Sequence, residues 1–414
     1  MKKAFGLLTI VMLLTMALAA CGAAGTELTC PEGDICVEVG PDDPIRVGWM
    51  FVVSGGDAAL GTDTKRGCEI AVEDQGDILG HSIELVGEDE LCSAEGGQTA
   101  ATKMVADPKL AAIVGTTCSS GARAAIPIVC GASIPMISPS NTAPDLTAED
   151  KPPEYWCYMR TAPNDTVQGA AMADYAYEQG YTKAATVHDG GIYADQLQQV
   201  FASRFLELGG EIVAQEAVGP DDTDMKPMLT RLAATGPEFI YYPIFTKAGG
   251  QITKQAREVA GLEDVQLSGA DGLFSPDFLE AAGAAAMGFN WSSPDFSTFG
   301  AGYGEFLAKH ETKYGEKTLA PFHAHAYDGA RIIFAAIEKV AIQGEDGSLL
   351  IPRKALHAAM AATKDHPGLT GNLTCNELGD CADPKIAVYE GVDTDPESWN
   401  PGVEEGNNPI KIWP

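Results

Sequence analysis

Two short apolar runs, and the small hydroxyl residues that follow them, constrain the fold of this chain more than any other feature. Residues 110–114 and 134–137 have the composition of buried parallel strands. Residues 122–130 lie between them with helical spacing, so a helix is expected to begin near Ser119 and Ser120. The hydroxyl residues are Thr116, Thr117, Ser119 and Ser120 after the first run, and Ser138, Ser140 and Thr142 after the second. Because the carboxyl ends of parallel strands meet at one edge of an open sheet, these groups are expected to form a site for a small anion such as a carboxylate.

The same alternation of strand and helix recurs along the chain. Further strands are predicted at 45–53, 83–87, 183–188, 211–217, 239–244 and 265–268, and helices at 64–74, 95–105, 166–179, 193–208, 224–234 and 247–259. This alternation is typical of an α/β protein with Rossmann-like, doubly wound parallel sheets. The chain is long enough for two lobes that face a cleft.

Two segments are predicted to cross between the lobes, at 161–165 and at 287–292. After the second crossing, helices are predicted at 299–314, 320–341 and 352–363, followed by a hairpin of 369–375 with 382–389 and a tail, 393–414, that wraps the surface. The N-terminal lobe is expected to comprise 44–164 plus 295–386, and the C-terminal lobe 165–294 plus 387–414.

The N-terminus has the pattern of a secretory signal. Lys2 and Lys3 precede the apolar run 4–17, and small residues follow up to Cys21. Leu-Ala-Ala-Cys resembles the lipobox of bacterial lipoproteins, which would make Cys21 the lipidated first residue of the mature chain. Ordinary secretory cleavage, with Cys21 incidental, is the alternative. Residues 1–20 are therefore assigned to a signal peptide and 21–43 to a tether, and no other apolar stretch is long enough to cross a bilayer.

Charge and cysteine content narrow the functional class. The formal net charge of −31 argues against nucleic acid and anionic membrane surfaces as partners. Ten cysteines in an exported chain suggest disulfides. Cys30 with Cys36 and Cys375 with Cys381 could close small loops, Cys130 with Cys157 is a weaker pair, and Cys68 is expected to be a buried free thiol.

Neither a metal site nor an enzyme is expected. No Cys-x-x-Cys or paired Cys/His spacing occurs, and His323 and His325 lie on different sides of a predicted helix. The Gly-x-Ser-x-Gly, His-Glu-x-x-His and Cys/His nucleophile patterns are missing from the sequence as well. We therefore expect a binding protein without a cofactor.

A set of short motifs connects the chain to a known family. They are Val-Gly-Thr-Thr-Cys-Ser-Ser at 114–120, Ile-Ser-Pro-Ser-Asn-Thr-Ala-Pro-Asp-Leu-Thr at 137–147, Arg-Thr at 160–161, His-Asp at 188–189 with Tyr193, Phe-Ile-Tyr-Tyr at 239–242, Gln-Ala-Arg at 255–257 and Gly-Ala-Asp-Gly at 269–272. In this order the chain resembles, from about residue 45 to 389, the periplasmic leucine/isoleucine/valine-binding proteins, the receptors of branched-chain amino-acid ABC transporters. The resemblance implies a type I periplasmic binding fold, with two lobes joined by three crossovers.

The resemblance also implies roles for individual residues. Ser119 would hold a ligand carboxylate, together with the backbone at Ser140 and the hydroxyl and N–H of Thr142. Asp271 would accept the α-ammonium group, and Tyr193 would close over the ligand. The family disulfide matches Cys92–Cys118. Read from the sequence alone, Ser119 could instead be a plain helix cap, and Thr142 and Asp271 could be turn residues.

The expected side-chain pocket departs from the family pattern. Residues 243–246 read Pro-Ile-Phe-Thr where family members often have Gly-Gly-Tyr-Tyr, so Phe245 replaces an expected aromatic residue. The helix start at 321–325 also differs. We expect a lipid-anchored, monomeric receptor on the outer face of the cytoplasmic membrane, or in the periplasm, that delivers a small amino acid of the branched-chain type to an ABC permease and its ATPase. The alternatives are a sensor, or a receptor for an amide or urea-like solute, on the same fold.

Overall fold

The computed structural model describes residues 28–414. The predicted signal peptide and the lipidation site at Cys21 lie outside the described residues.

The described chain alternates strands and helices. Its strands are β1 (Cys36–Val39), β2 (Ile45–Phe51), β3 (Ile83–Asp89), β4 (Leu110–Gly115), β5 (Met136–Ser138), β6 (Tyr158–Arg160), β7 (Lys183–His188), β8 (Glu211–Ala217), β9 (Phe239–Tyr241), β10 (Gln266–Gly269), β11 (Asn290–Pro294), β12 (Ile342–Gln343), β13 (Leu349–Pro352), β14 (His366–Gly368), β15 (Gly371–Leu373), β16 (Ile386–Glu390) and β17 (Ile410–Trp413). Its α-helices are α1 (Ala58–Gln75), α2 (Ala94–Val105), α3 (Ser119–Gly131), α4 (Asp165–Glu178), α5 (Ile192–Glu207), α6 (Lys226–Thr235), α7 (Thr246–Ala256), α8 (Pro276–Ala282), α9 (Tyr303–Tyr314), α10 (His323–Val340) and α11 (Arg353–Ala361).

The first lobe is built on a five-stranded parallel sheet in the order β3-β2-β4-β5-β6. All six residues of β4 are buried, as expected for a central strand covered by helices on both faces. Helices α1 and α10 pack together at one face, and α2 and α3 pack together at the other. Gly67 permits the close approach of α1 to α10, because a Cβ at this position would lie 2.1 Å from the carbonyl oxygen of His323.

The second lobe is built on a seven-stranded sheet in the order β17-β16-β11-β10-β9-β7-β8. Strands β7 to β11 are parallel, whereas β16 pairs antiparallel with β11 and β17 with β16. Large aromatic side chains, among them Phe201, Tyr241 and Trp291, fill its core. The two doubly wound lobes expected from the alternating pattern are confirmed.

The chain passes between the two sheets three times: from β6 to α4, from β11 to α9, and from Cys381 to β16. The first crossing lies where it was predicted. The prediction for the second, at 287–292, is wrong because Asn290–Pro294 forms β11 inside the second sheet. All five residues of β11 are buried, so this segment belongs to the core and the crossing follows it.

Three other expectations need correction. Segments 369–375 and 382–389 do not form a hairpin, because β15 pairs with β14 while the buried apolar strand β16 joins the second sheet. The tether assigned to 21–43 contains β1, which buries Val37 and Val39 and pairs with β13. The tail does not merely wrap the surface, since β17 adds an edge strand to the second sheet.

Four disulfides are present among residues 28–414. They join Cys30 to Cys36, Cys92 to Cys118, Cys130 to Cys157 and Cys375 to Cys381. The pair implied by the family resemblance and the pairs proposed from the sequence are confirmed. Cys68 is a buried free thiol, as expected, and burial raises its pKa.

Candidate functional site

A small cavity lies between the two lobes, next to the carboxyl ends of β4, β5 and β10. Its walls are formed by Leu60, Thr117, Cys118, Ser119, Ser140, Tyr193, Phe245, Asp271, Gly272 and Phe322. The free space is about 10 Å³, which is room for one water molecule. The lobes are therefore closed against each other, and a solute can enter only when they separate or when a wall side chain moves.

The first lobe contributes small hydroxyl residues to this wall. Ser119 is the first residue of α3, and the residue that precedes the helix is Cys118, which makes no side-chain cap bond. Ser119 is therefore not the N-cap residue. Its Oγ accepts a weak hydrogen bond from the N–H of Ala143 at 3.4 Å, which leaves its own O–H able to donate to a ligand.

Ser140 lies on the same wall, but its polar groups have protein partners. Its hydroxyl donates to the carbonyl oxygen of Thr117 at 2.9 Å, and its backbone N–H donates to Ser138 Oγ at 3.2 Å. Thr142 does not line the cavity. It is only 1% exposed, and its hydroxyl donates to Asp165 Oδ2 at 2.9 Å. Of the residues implied by the resemblance, Ser119 is thus the best placed to donate to a ligand anion.

The second lobe contributes an acid held by two neighbours. Asp271 begins a short 3-10 helix, Asp271–Leu273, directly after β10. Its Oδ1 accepts hydrogen bonds from Gln168 Nε2 at 2.5 Å and from the hydroxyl of Tyr193 at 3.1 Å. The same Tyr193 hydroxyl accepts the N–H of Gly272 at 3.1 Å. Both side-chain bonds to Asp271 end at Oδ1, so Oδ2 remains available to a ligand cation.

A second buried acid, Asp165, stands beside Asp271 and was missed from the sequence. Burial, and then the charge of Asp271, raise the pKa of Asp165 well above its usual range. Burial raises the pKa of Asp271 as well. Asp165 Oδ1 is buried and has no hydrogen-bond partner within the part of the chain that the structure describes. The position of Asp165 after the first predicted crossing is the only signal that the sequence offered.

A third buried acid, Glu90, lies under the N-terminus of α3. Its Oε1 accepts the backbone N–H of Cys118 at 3.1 Å, and burial raises its pKa to about 8. A largely protonated Glu90 leaves the positive end of the helix dipole free to attract an anion at neutral pH. Glu90, Cys92 and Cys118 come close enough to suggest a metal site, but both thiols are consumed by their disulfide.

The remaining walls are apolar. The rings of Tyr193 and Phe245 pack at a centroid distance of 5.3 Å, and Leu60 and Phe322 complete the enclosure. Phe245 therefore lies on the wall of this cavity. Leu60 and Phe322 were not predicted as site residues, because an apolar residue in a loop or at a helix start gives no sign of facing a ligand.

Another hydrogen bond between the lobes lies beside this cavity. Asp57 directly precedes α1 of the first lobe, yet its Oδ1 accepts the backbone N–H of Thr246, the first residue of α7 in the second lobe, at 3.2 Å. Phe245, which precedes that helix, supplies no side-chain cap. Burial, followed by the charges of Asp189 and Asp277, raises the pKa of Asp57 to about 6. Asp57 is therefore an N-cap that one lobe provides for a helix of the other.

The fold and this cavity define a two-lobed solute-binding protein. The family model described as periplasmic binding protein matches residues 44–379, and the chain belongs to that family. Within it, the relatives place the chain among the branched-chain amino-acid ABC transporter substrate-binding proteins, as the sequence motifs suggested.

Curated relatives are similar over most of the chain. The Leu/Ile/Val-binding protein homolog 3 of Brucella melitensis is 27% identical over 350 residues, which are 84% of this chain and 91% of that protein. The leucine-, isoleucine-, valine-, threonine- and alanine-binding protein of Pseudomonas aeruginosa is 28% identical over 356 residues, covering 84% and 90%. The Leu/Ile/Val-binding protein of Escherichia coli is 30% identical over 256 residues, covering 61% and 68%.

Solved structures share the fold. The isoleucine complex of LivJ from Streptococcus pneumoniae has a TM-score of 0.74 at 25% identity, covering 90% of this chain and all of that one. The leucine-binding protein LivK from Thermotoga maritima has a TM-score of 0.74 at 24% identity, covering 89% and 99%. The type I periplasmic binding fold is thereby confirmed.

Family membership also bears on activity and location. The relatives are solute-binding proteins rather than enzymes, and their family is extracytoplasmic. Among residues 28–414, no helix combines the length and apolar character needed to cross a bilayer.

Proposed function

We propose that this protein binds a small α-amino acid, of the branched-chain type, between its lobes and presents it to an ABC importer. The observation that carries the proposal is that one cavity joins Ser119 of the first lobe to Asp271 of the second. A zwitterion needs a donor for its carboxylate and an anionic acceptor for its ammonium group, and these two side chains supply them.

The wall chemistry supports a zwitterion over a simple anion or cation. Ser119 lies at the N-terminus of α3, where the helix dipole favours a carboxylate by ~0.3–1 kcal/mol. Asp271 has a free oxygen, and an ammonium group bound there would offset the cost of burying it. Charge-assisted hydrogen bonds contribute about 1.5–3 kcal/mol each, so a few of them support micromolar binding after the costs of ordering.

The closed cavity sets a condition on entry. Because the free space holds about one water molecule, an amino acid must enter a more open arrangement and displace part of the apolar wall. Phe245 is the side chain best placed to move, because it is partly exposed and its ring touches the cavity from the second lobe. The three chain crossings between the lobes would serve as the hinge for such an opening, because domains that close around a ligand rotate about a few connecting residues.

Anchoring and delivery form the second part of the proposal. Cys21 in the lipobox-like Leu-Ala-Ala-Cys would carry the lipid, which holds the protein at the outer face of the membrane beside a permease and its ATPase. Mass spectrometry of the mature N-terminus tests this step. A diacylglyceryl-modified Cys21 is expected, and an unmodified N-terminus elsewhere contradicts it.

Calorimetry with isoleucine, leucine and valine tests the ligand assignment. Ser119→Ala and Asp271→Asn are each expected to weaken binding by about 10- to 150-fold, the equivalent of one charge-assisted hydrogen bond. Ser120→Ala and Asp264→Asn are matched controls, since neither residue lines the cavity, and they are expected to bind like the wild type.

Two results would reject the assignment. One is a folded protein that gives no heat with any amino acid. The other is heat with urea or acetamide alone, which would replace the amino-acid receptor with a receptor for an amide-like solute, a ligand that the small free volume also favours.

A further inference from the structure

The disulfide between Cys92 and Cys118 lies at the proposed ligand site. Cys118 and Ser119 line the small cavity that Asp271 closes from the other lobe. Cys92 lines a second cavity between the lobes, of about 600 Å³, and is partly exposed. One sulfur of this bond can therefore be reached from the cleft, while the other adjoins the place of the ligand carboxylate.

The helix end beside Cys118 favours a negative charge on its sulfur. Cys118 directly precedes α3, whose N-terminus carries the positive end of the helix dipole. Helix N-termini stabilise thiolates, and a sulfur that is stable as a thiolate leaves more readily in thiol–disulfide exchange. Cys130 lies at the opposite, negative end of the same helix and pairs with the buried Cys157. The two disulfides span 26 and 27 residues, so they form a matched pair that differs in helix end and in access.

A buried carboxyl group completes the surroundings of this bond. A carboxyl oxygen of Glu90 lies within 4.8 Å of both sulfur atoms. The Oε1 atom of Glu90 accepts the backbone N–H of Cys118, whereas Oε2 is buried and has no hydrogen-bond partner among residues 28–414. Burial raises the pKa of Glu90 to about 8, so the group holds a proton at neutral pH. A thiolate at Cys118 would provide the acceptor that this proton lacks in the oxidised protein.

The loop that carries Cys92 has a strained backbone. Leu91 and Cys92 have φ angles of 53° and 48°, in the left-handed region that residues with a β-carbon rarely adopt. Leu91 is 57% exposed, so burial of its side chain does not account for this conformation. The bond to Cys118 is the covalent restraint on the loop. Opening the bond therefore lets the loop relax, which favours the reduced form.

We propose that the Cys92–Cys118 disulfide is a redox switch on ligand binding, which an external dithiol opens from the cleft. A thiolate of the dithiol attacks Cys92 Sγ, the bond between the two sulfurs breaks, and Cys118 leaves with the electron pair. The second thiol of the reductant then attacks the mixed disulfide and releases Cys92. The protein gains two thiols, the reductant becomes a disulfide, and the two protons of the dithiol balance the two cysteines through Glu90 and water.

Opening this bond weakens the ligand through charge. A thiolate at Cys118 occupies the positive end of α3, which the ligand carboxylate otherwise uses beside Ser119. Because coupling between two sites is reciprocal, a bound ligand disfavours the reduced form by the same factor. This consequence rests on the proposed function, whereas the selective opening of the disulfide does not.

Dithiothreitol is the probe for the opening. The folded wild-type protein is exposed to it at neutral pH, free thiols are trapped with N-ethylmaleimide, and peptide mass spectrometry follows each cysteine pair. Cys92–Cys118 is expected to open about tenfold faster than Cys130–Cys157, and isoleucine is expected to slow its opening. Glu90→Gln, which has no carboxyl proton to give, is expected to slow the opening of Cys92–Cys118 and to leave that of Cys130–Cys157 unchanged.

Calorimetry with isoleucine, in the presence and absence of dithiothreitol, measures the effect on binding. Dithiothreitol is expected to raise the Kd of the wild type about 5- to 150-fold, the usual range for two coupled sites. The double variant Cys92→Ala/Cys118→Ala is the matched control, because it has no bond to open at this position. Its Kd is expected to be the same with and without dithiothreitol, and circular dichroism verifies that both proteins stay folded.

Three results would overturn the proposal. The first is opening of Cys92–Cys118 no faster than that of Cys130–Cys157. The second is a wild-type Kd that stays the same once Cys92–Cys118 is open. The third is an equal rise of the Kd in the double variant, which would assign the effect to another disulfide. An oxidised wild type that binds no amino acid would instead reject the proposed function, and the order in which the two disulfides open would then decide the redox proposal by itself.

Discussion

Removing the carboxylate of Asp57 is expected to weaken ligand binding without damaging either lobe. The only side-chain bond that Asp57 makes in the described structure runs to the N–H of Thr246 in the other lobe. Asp57→Ala therefore removes a contact that exists only when the lobes are closed. The open arrangement keeps its stability, and the change falls on the equilibrium between open and closed forms.

The size of the effect follows from the type of contact. Loss of an aspartate N-cap costs ~0.5–2 kcal/mol in a helix. When the closed form is the minor form without ligand, this cost appears in full in the apparent affinity. At 1.4 kcal/mol per tenfold change, Asp57→Ala is expected to raise the Kd about 2- to 30-fold at pH 4, where Asp57 keeps its proton in the closed form and carries no buried charge. Asp57→Asn keeps an amide oxygen that can accept the same N–H, so it is expected to bind like the wild type or better.

Calorimetry and small-angle scattering together check this prediction. Asp57→Ala should show a higher Kd for isoleucine, while its radius of gyration without ligand should match that of the wild type, because the open form predominates in both. Asp221→Ala is the matched control, because it removes the same charge from an exposed ion pair with Lys247 that lies wholly in the second lobe. The prediction is wrong if Asp57→Ala binds isoleucine as tightly as the wild type, or if Asp221→Ala raises the Kd by the same factor.

The same residue gives a pH dependence with a definite sign. In the closed form burial raises the pKa of Asp57 to about 6, whereas an open, hydrated carboxyl returns towards its ordinary value of 3.8. The closed form therefore holds its proton to higher pH. Closure, and with it affinity, should decline as the pH rises from about 4 through 6, and Asp57→Asn should reduce this decline.

Two further predictions concern other buried charges. The carboxyl of Glu90 lies beside the helix end that would hold the ligand carboxylate, and burial raises its pKa to about 8. The affinity of the wild type for isoleucine should therefore fall as the pH passes 8, and that of Glu90→Gln should fall less. Identical pH profiles of the two proteins in calorimetry would contradict this. The guanidinium of Arg160 is 0% exposed and donates to Thr147, to Asp380 and to two backbone carbonyls. Arg160→Met should therefore lower the free energy of unfolding, measured in urea, by about 3–5 kcal/mol. A decrease of less than ~1 kcal/mol would show that these bonds contribute little.

The alternating α/β parts of the chain could be predicted because their signals are local. Strands β7 and β8 match the predicted bounds residue for residue, and the predicted α2 differs by one residue. In each, an apolar run or a helical period is bounded by turn residues. The five-residue run of β16 looks the same whether it pairs with a neighbour in sequence or crosses to the other lobe, so the sequence could not reject the false hairpin.

Some residues of the candidate site could likewise be predicted from local sequence, and others could not. Ser119 and Asp271 follow strands whose carboxyl ends could be located, so their meeting at one cavity could be predicted. Thr142 follows a strand too, but its side chain turns to Asp165, an outcome decided by a residue 23 positions further along the chain. Asp165 itself lies at the start of a helix, where an acid is ordinary and needs no functional explanation. Only its burial beside Asp271 distinguishes Asp165 from other acids at helix starts.

That pair of acids explains why closure and ligand binding should be coupled in this protein. Closing the lobes keeps Asp165 and Asp271 away from water, and burial together with mutual repulsion raises the pKa of Asp165. An ammonium group at the free Oδ2 of Asp271 would favour the ionised form of both acids, since an opposite charge lowers a carboxyl pKa. A ligand that carries this group therefore stabilises the closed arrangement more than the open one. A ligand of the same shape without the positive charge gains the apolar contacts but leaves the two acids unneutralised, and it should bind without shifting the lobes as far towards closure.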